Sequence, residues 1–65
     1  MLTFREQQVL ELVCKGYTNK QIARELFVSS HTAKAHVAAI IRKFNISNRT
    51  QIVCYALKNN LINAD

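Results

Sequence analysis

Across 65 residues the chain has one glycine, Gly16, and no proline. β-rich folds need frequent turn residues, because sharply bent and left-handed backbone positions favour glycine and proline presets many turns. A chain with so little punctuation is restricted to longer segments joined by short connections, and a compact helical bundle satisfies that. The length allows one domain at most. A domain this small buries only about 60% of the surface its unfolded chain exposes, so its apolar stripes must be used efficiently.

Four stripes are present. Thr3 and Glu6 have capping-box spacing, with Leu2 just before as a hydrophobic staple. Val9, Leu10 and Val13, flanked by Leu12, then give a helical stripe, and Lys15 followed by Gly16 closes it, predicting a helix over 4–15. Thr18 and Gln21 repeat the box ahead of Ile22, Ala23 and Leu26, predicting a short helix over 19–26. The apolar pair Phe27-Val28 is expected to plug the space before the next helix. Ser29 or Ser30 caps a third helix, to about residue 44, whose inner face is Ala33, Val37, Ile40, Ile41 and Phe44. Asn45 stops it, with Ile46 packed behind. Asn48 and Gln51 suggest a third capping box, and Ile52, Val53, Ala56 and Leu57 stripe a fourth helix over 49–58. Asn59-Asn60 ends it, and Leu61 and Ile62 are expected to fold back onto the core. The fold class is therefore all-α, a four-helix bundle filling residues 1–65.

Several classes of function fall away. No apolar run reaches the ~18 residues of a membrane span, and no signal peptide is visible, so a cytoplasmic location is expected. Met1 followed directly by domain-like sequence fits a stand-alone protein or a piece of a longer one. Cys14 and Cys54 sit in apolar helical patterns and read as reduced, buried small hydrophobes. His31 and His36 lie five apart and point ~140° away from each other on a helix, so no metal site is expected. No cofactor is implied. An enzyme would need a nucleophile–base arrangement and a pocket of about 300 Å³, for which a 65-residue bundle has little room.

Charge gives the positive lead. The net charge is +5, and no acid occurs from Leu26 to Ala64, where Lys34, Arg42, Lys43, Arg49 and Lys58 fall. The face of the third helix opposite its core side is His31, Lys34, Ala35, Ala38 and Arg42. Alanines there are either plain helix formers or small side chains that let the axis approach a base-pair floor, their methyls suiting thymine. Lys34 between them can reach guanine O6 and N7. Thr18, Asn19 and Lys20 open the second helix, where free amides beside a hydroxyl and an amine suit phosphate; Lys20 could equally be a solvated lysine. Thr32 and His36 flank the reading face, His36 alternatively as a half-buried core histidine. Arg42 and Lys43 extend the footprint. Arg49 opens the fourth helix, which is unfavourable for a cation; it calls for a partner, either a phosphate or an acid such as Glu6.

With these residues in view, the chain resembles the LuxR-type DNA-binding domain, also called GerE-type or NarL/FixJ-type. The resemblance is carried by Leu2-Thr3-x-Arg5-Glu6-x-x-Val9-Leu10, Gly16-Tyr17-Thr18-Asn19-Lys20-x-Ile22-Ala23, Leu26-x-Val28-Ser29, Thr32-x-Lys34-x-His36-Val37 and Ser47-Asn48-Arg49-Thr50-Gln51. It implies a tetrahelical fold with a helix-turn-helix, the third helix in the major groove of double-stranded DNA and the fourth supplying a two-fold dimer contact. Carried over residue by residue, it implies base contacts by Lys34, Ala35 and Ala38. It implies backbone-contacting or site-stabilising roles for Asn19, Lys20, Thr32, His36 and Arg49. Ala33 stands where Val is usual, thinning the core, and Phe44 where Leu is usual, which could refill that volume. Ala38 replaces what is often a polar reader. The resemblance further implies a bacterial transcription regulator, RNA polymerase among its partners, and no small-molecule ligand in this domain.

Two-fold pairing raises affinity through effective concentration, and Val53, Cys54 and Leu57 could form an apolar strip for it. The rival reading is a basic helical module that binds an acidic protein, indifferent to DNA sequence.

Overall fold

The computed structural model describes residues 1–62; the expectation that the domain runs to residue 65 reaches past them. Four helices follow in order: α1 (Phe4–Cys14), α2 (Asn19–Leu26), α3 (Ser30–Phe44) and α4 (Thr50–Lys58). No strand occurs among the described residues, as expected for an all-α bundle. α3 is the central element and packs on the other three helices, while α1 also meets α2 and α4. α2 and α4 do not pack on each other.

Local chemistry sets the helix starts. Thr3 Oγ1 accepts from the Glu6 amide at 3.1 Å and Glu6 Oε1 accepts from the Thr3 amide at 2.9 Å. Thr18 and Gln21 repeat the exchange at 3.2 and 2.8 Å. Each box satisfies two backbone donors that a helix start leaves orphaned. Ser29, not Ser30, caps α3, its Oγ accepting from the Thr32 amide at 3.0 Å.

The third box is not a box. The Gln51 amide does reach Asn48 Oδ1 at 3.3 Å, but the Gln51 side chain accepts from Ser47 N at 2.7 Å rather than from Asn48. Arg49 at the cap has helical φ and ψ (−59°, −36°), so the chain is already coiling there. Gln51 N bonds Asn48 O and Ile52 N bonds Arg49 O, a 3₁₀-type opening that displaces the reciprocal bond by one residue. The helix itself starts at Thr50, one residue later than expected.

Helix ends need left-handed residues. α1 stops at Cys14, one residue short of the expectation, with Lys15 at the cap. Gly16 follows at φ +89°. Gly16 N bonds Val13 O at 2.9 Å and Tyr17 N bonds Leu12 O at 3.1 Å, the paired Schellman bonds that retire two orphan carbonyls. With no other glycine, the chain uses Phe27 (φ 58°), Asn45 (φ 56°) and Asn60 (φ 57°) for the same purpose. The two asparagines are the expected stops.

Phe27 corrects an expectation. Its ring is 94% exposed and does not plug the bundle. A left-handed residue turns its Cβ away from the helix it terminates, so only Val28 of the pair packs on the core.

Val9, Leu10, Ile22, Ala33, Ile40, Ile52 and Ala56 are fully enclosed, with Leu12, Val13, Ala23, Val37 and Phe44 around them. Ile41 and Val53 are half-buried, and Leu57 is exposed, so the inner stripes of α3 and α4 are narrower than expected. Leu61 and Ile62 do pack back onto the core. Phe44 stacks on Tyr55 of α4, ring centroids 4.1 Å apart. It lies eleven residues from Ala33, roughly 16 Å along the axis, too far to refill the volume there; it joins α3 to α4 instead.

Candidate nucleic-acid interface

α3 sorts its residues by angle. Ala33, Val37, Ile40 and Phe44 face inward and are buried, while His31, Lys34, Ala35 and Arg42 are exposed. Ala38 is half-buried, at the edge of the outward face. Lys34 and Ala35 therefore stand on a bare surface of a helix whose opposite side is anchored to three others. Thr32 and His36 are half-buried on its flanks, so His36 is neither enclosed in the core nor fully solvated.

The start of α3 carries a short hydroxyl relay. Ser29 Oγ accepts from the Thr32 amide and donates to Thr32 Oγ1 at 3.0 Å. The Thr32 hydroxyl proton is then free to serve an acceptor outside the protein. At the start of α2, the Thr18 hydroxyl is occupied as an acceptor by Gln21 N and keeps its proton for another partner. Asn19 is half-buried and Lys20 exposed beside it.

Arg49 answers the puzzle of a cation at a helix start, and not with Glu6. One guanidinium nitrogen donates to Asn19 Oδ1 and the other to the Tyr17 carbonyl. The two acceptors lie on either side of Thr18, the α2 cap. Both are neutral, so neither offsets the guanidinium charge. Glu6 is taken by Lys43, whose Nζ is 2.7 Å from Glu6 Oε1 and 3.3 Å from the Met1 carbonyl. That is the one ion pair among the described residues. It directs the Lys43 ammonium, expected to extend the footprint, to α1. Lys20, Lys34, Arg42 and Arg49 have no carboxylate partner there.

The Lys43 ammonium, and after it the Thr3 amide, hold the Glu6 carboxyl below its usual range despite burial. Burial, and then the charge of Glu11, push the Cys14 thiol up, which suits an inert, protonated side chain. Cys54 departs from its expected burial: it is exposed, because two helical steps place it 200° from Ile52. Cys54 and Leu57 are exposed with half-buried Val53 beside them, one strip on the outer side of α4.

An open groove of about 440 Å³ lies between the start of α1 and the ends of α3 and α4, among Leu2, Gln7, Lys43, Tyr55 and Leu61. A bundle this small is expected to have little room for a pocket of about 300 Å³; this groove is larger but open to solvent. Among the described residues that line it there is no Ser, Cys or His that could act as nucleophile or base. No helix among the described residues is long and apolar enough to cross a membrane.

The link between Arg49 and Asn19 and the exposure of Phe27 were not visible in the sequence. A cation at a helix start without a local acid signals the first only as a vacancy to be filled. The lack of a glycine after α2 signals the second.

Known proteins share this arrangement. Residues 1–56 match the family described as bacterial regulatory proteins, luxR family. The chain is 45% identical over 62 residues to the transcriptional regulatory protein LiaR of Bacillus subtilis, covering 95% of this chain and 29% of LiaR. It is equally similar to the response regulator protein VraR of Staphylococcus aureus, over 95% of this chain and 30% of VraR. It thus spans less than a third of the length of those relatives. The structure of the transcription factor GerE superposes with a TM-score of 0.88 at 30% identity, covering 98% of this chain and 96% of GerE. Four helices in this order, a capped α2–α3 pair with a basic outward face, and a family match across most of the chain agree: the chain belongs to the luxR family of bacterial regulatory proteins, as its helix-turn-helix domain.

Proposed function

We propose that the domain binds specific sequences in double-stranded DNA as part of a bacterial transcription regulator, with α3 in the major groove. Lys34, Ala35 and Ala38 meet base edges. Thr18, Asn19, Lys20, Thr32, His36 and Arg42 meet the sugar–phosphate backbone, and Arg49 stabilises the start of α2. Lys43 leaves this set because its ammonium is paired with Glu6. Two copies pair through Val53, Cys54 and Leu57 on a two-fold site, and the protein works in the cytoplasm, with RNA polymerase among its partners.

The observation that carries this reading is the division of α3. A lysine and an alanine stand exposed at 34 and 35 on a helix held rigid by the buried row Ala33, Val37, Ile40 and Phe44. Small and cationic outward side chains on an anchored helix fit a negatively charged groove.

Selection from a randomised duplex pool with the purified chain tests it. A recovered consensus with paired half-sites, and affinity falling steeply with salt, are expected. Binding that ignores sequence would favour the rival module for acidic proteins.

A further inference from the structure

We infer that Arg49 is a positioning residue that turns the carboxamide of Asn19 so that its NH₂ faces a DNA phosphate, tying the start of α4 to the backbone clamp on α2. The inference rests on the DNA-binding reading above and adds to it how the clamp is set.

The chemistry leaves one orientation. A guanidinium offers donors only, so the Asn19 atom that meets Arg49 must be Oδ1, as found. The amide group is planar, so with Oδ1 held by Arg49 the Nδ2 protons occupy the other branch of the carboxamide, about 120° away, and are not taken up by Arg49. Asn19 is the first residue of α2, half-buried, next to exposed Lys20. A carboxamide presenting donors beside a lysine and the free amides of a helix start suits a phosphate oxygen. A freely rotating asparagine would present its oxygen about as often as its nitrogen.

Arg49 also grips the Tyr17 carbonyl. It therefore brackets the Thr18 cap and fixes the α2 entry as well as the amide. No helix packing joins α2 to α4, so this side chain is the polar strut between them. Neither acceptor is charged, and no carboxylate pairs with Arg49 among the described residues. Its charge remains to attract the same phosphate.

The test is a double-mutant cycle on the full chain, by fluorescence anisotropy on a duplex recovered by the selection. Asn19→Ala should lower affinity about fivefold to tenfold, and Arg49→Lys at least about twofold, because an unguided carboxamide presents its nitrogen only about half the time. The lysine keeps the charge but cannot bridge both acceptors. The double variant should lose less than the product of the two single losses, because part of what Arg49 does is done through Asn19. Losses that multiply, or an Arg49→Lys variant that binds as wild type, overturn the inference. Should Arg49→Lys melt the fold, Asn19→Asp decides: it keeps an acceptor for Arg49 and suits a helix start, but has no donor to offer. It should bind at least tenfold more weakly than Gln21→Glu, which adds the same charge two residues along. Equal binding by those two variants overturns the inference while leaving the DNA-binding reading intact. Failure of the wild-type chain to bind any duplex removes both.

Discussion

Lys43, in the last turn of α3, holds Glu6, in the first turn of α1, through an ammonium–carboxylate contact of 2.7 Å. The same oxygen, Oε1, accepts from the Thr3 amide at 2.9 Å. One carboxylate oxygen therefore closes the α1 capping box and ties the end of the proposed reading helix to the start of the chain.

That double use gives stability a pH signature. The folded state holds the Glu6 carboxyl below its usual range, so the unfolded chain binds a proton more readily. The stabilisation is complete above the unfolded carboxylate value of about 4.3 and is lost as pH falls through the lower folded value. Glu6→Gln keeps an acceptor for Thr3 but removes the charge. At neutral pH it should lower stability by about 1 kcal/mol, a modest figure because Lys43 is partly solvated. Thermal melts from pH 7 to 2.5 should show the gap between variant and wild type closing in the acid range. A gap independent of pH would show that the ion pair contributes nothing.

Lys34 and Lys20 should separate specificity from affinity. Lys34→Ala should cost about 1–3 kcal/mol on the selected site and much less on random duplex. Lys20→Ala should weaken both about equally and reduce the slope of log affinity against log salt by about one. Titrations of both duplexes at several salt concentrations check this. An equal loss on both duplexes for Lys34→Ala would remove it from the base-reading set.

Phe27 stores backbone strain without packing in return. It is left-handed at φ 58° and 94% exposed. Phe27→Gly should therefore raise stability by about 0.5–1 kcal/mol, the relief of the left-handed penalty less the added unfolded-state freedom. In a domain of this size that is a rise of roughly 2–8 °C in Tm. An unchanged or lower Tm would mean that the ring is held by more than its exposure indicates.

Leu57 tests the α4 pairing. It is 40% exposed on the strip with Cys54. Leu57→Lys should break two-fold pairing while adding a charge that favours DNA, so weaker binding could not be blamed on repulsion. Affinity for paired half-sites should fall by about tenfold or more, with affinity for a single half-site kept. A footprint that still covers both half-sites at wild-type concentrations would exclude this strip.

Core and reading face stand differently. Ile40→Ala should destabilise by about 2–5 kcal/mol, a large part of the stability of a domain this small, whereas Ala35→Ser should leave the melt nearly unchanged. Denaturant titration of the pair measures how firmly α3 is anchored beneath its outward side.

The amino-acid order alone determined the four helices, two of the capping boxes, the Ser29 cap region and the inward and outward sides of α3. These depend on spacings of three and four residues, and a helix reads such spacings locally. It also pointed to a groove-facing helix, because small side chains beside a lysine let a helix axis approach a base-pair floor. Tertiary structure decided which charges meet. Glu6 lies 37 residues from Lys43, and Arg49 lies 30 from Asn19, and no local period relates positions so far apart. It also decided that Phe27 faces water, since a chain with one glycine must place side chains at left-handed helix ends and only the packed bundle shows which of them find cover. The partner of each cation depends on how all four helices converge, and that convergence is a property of the whole core.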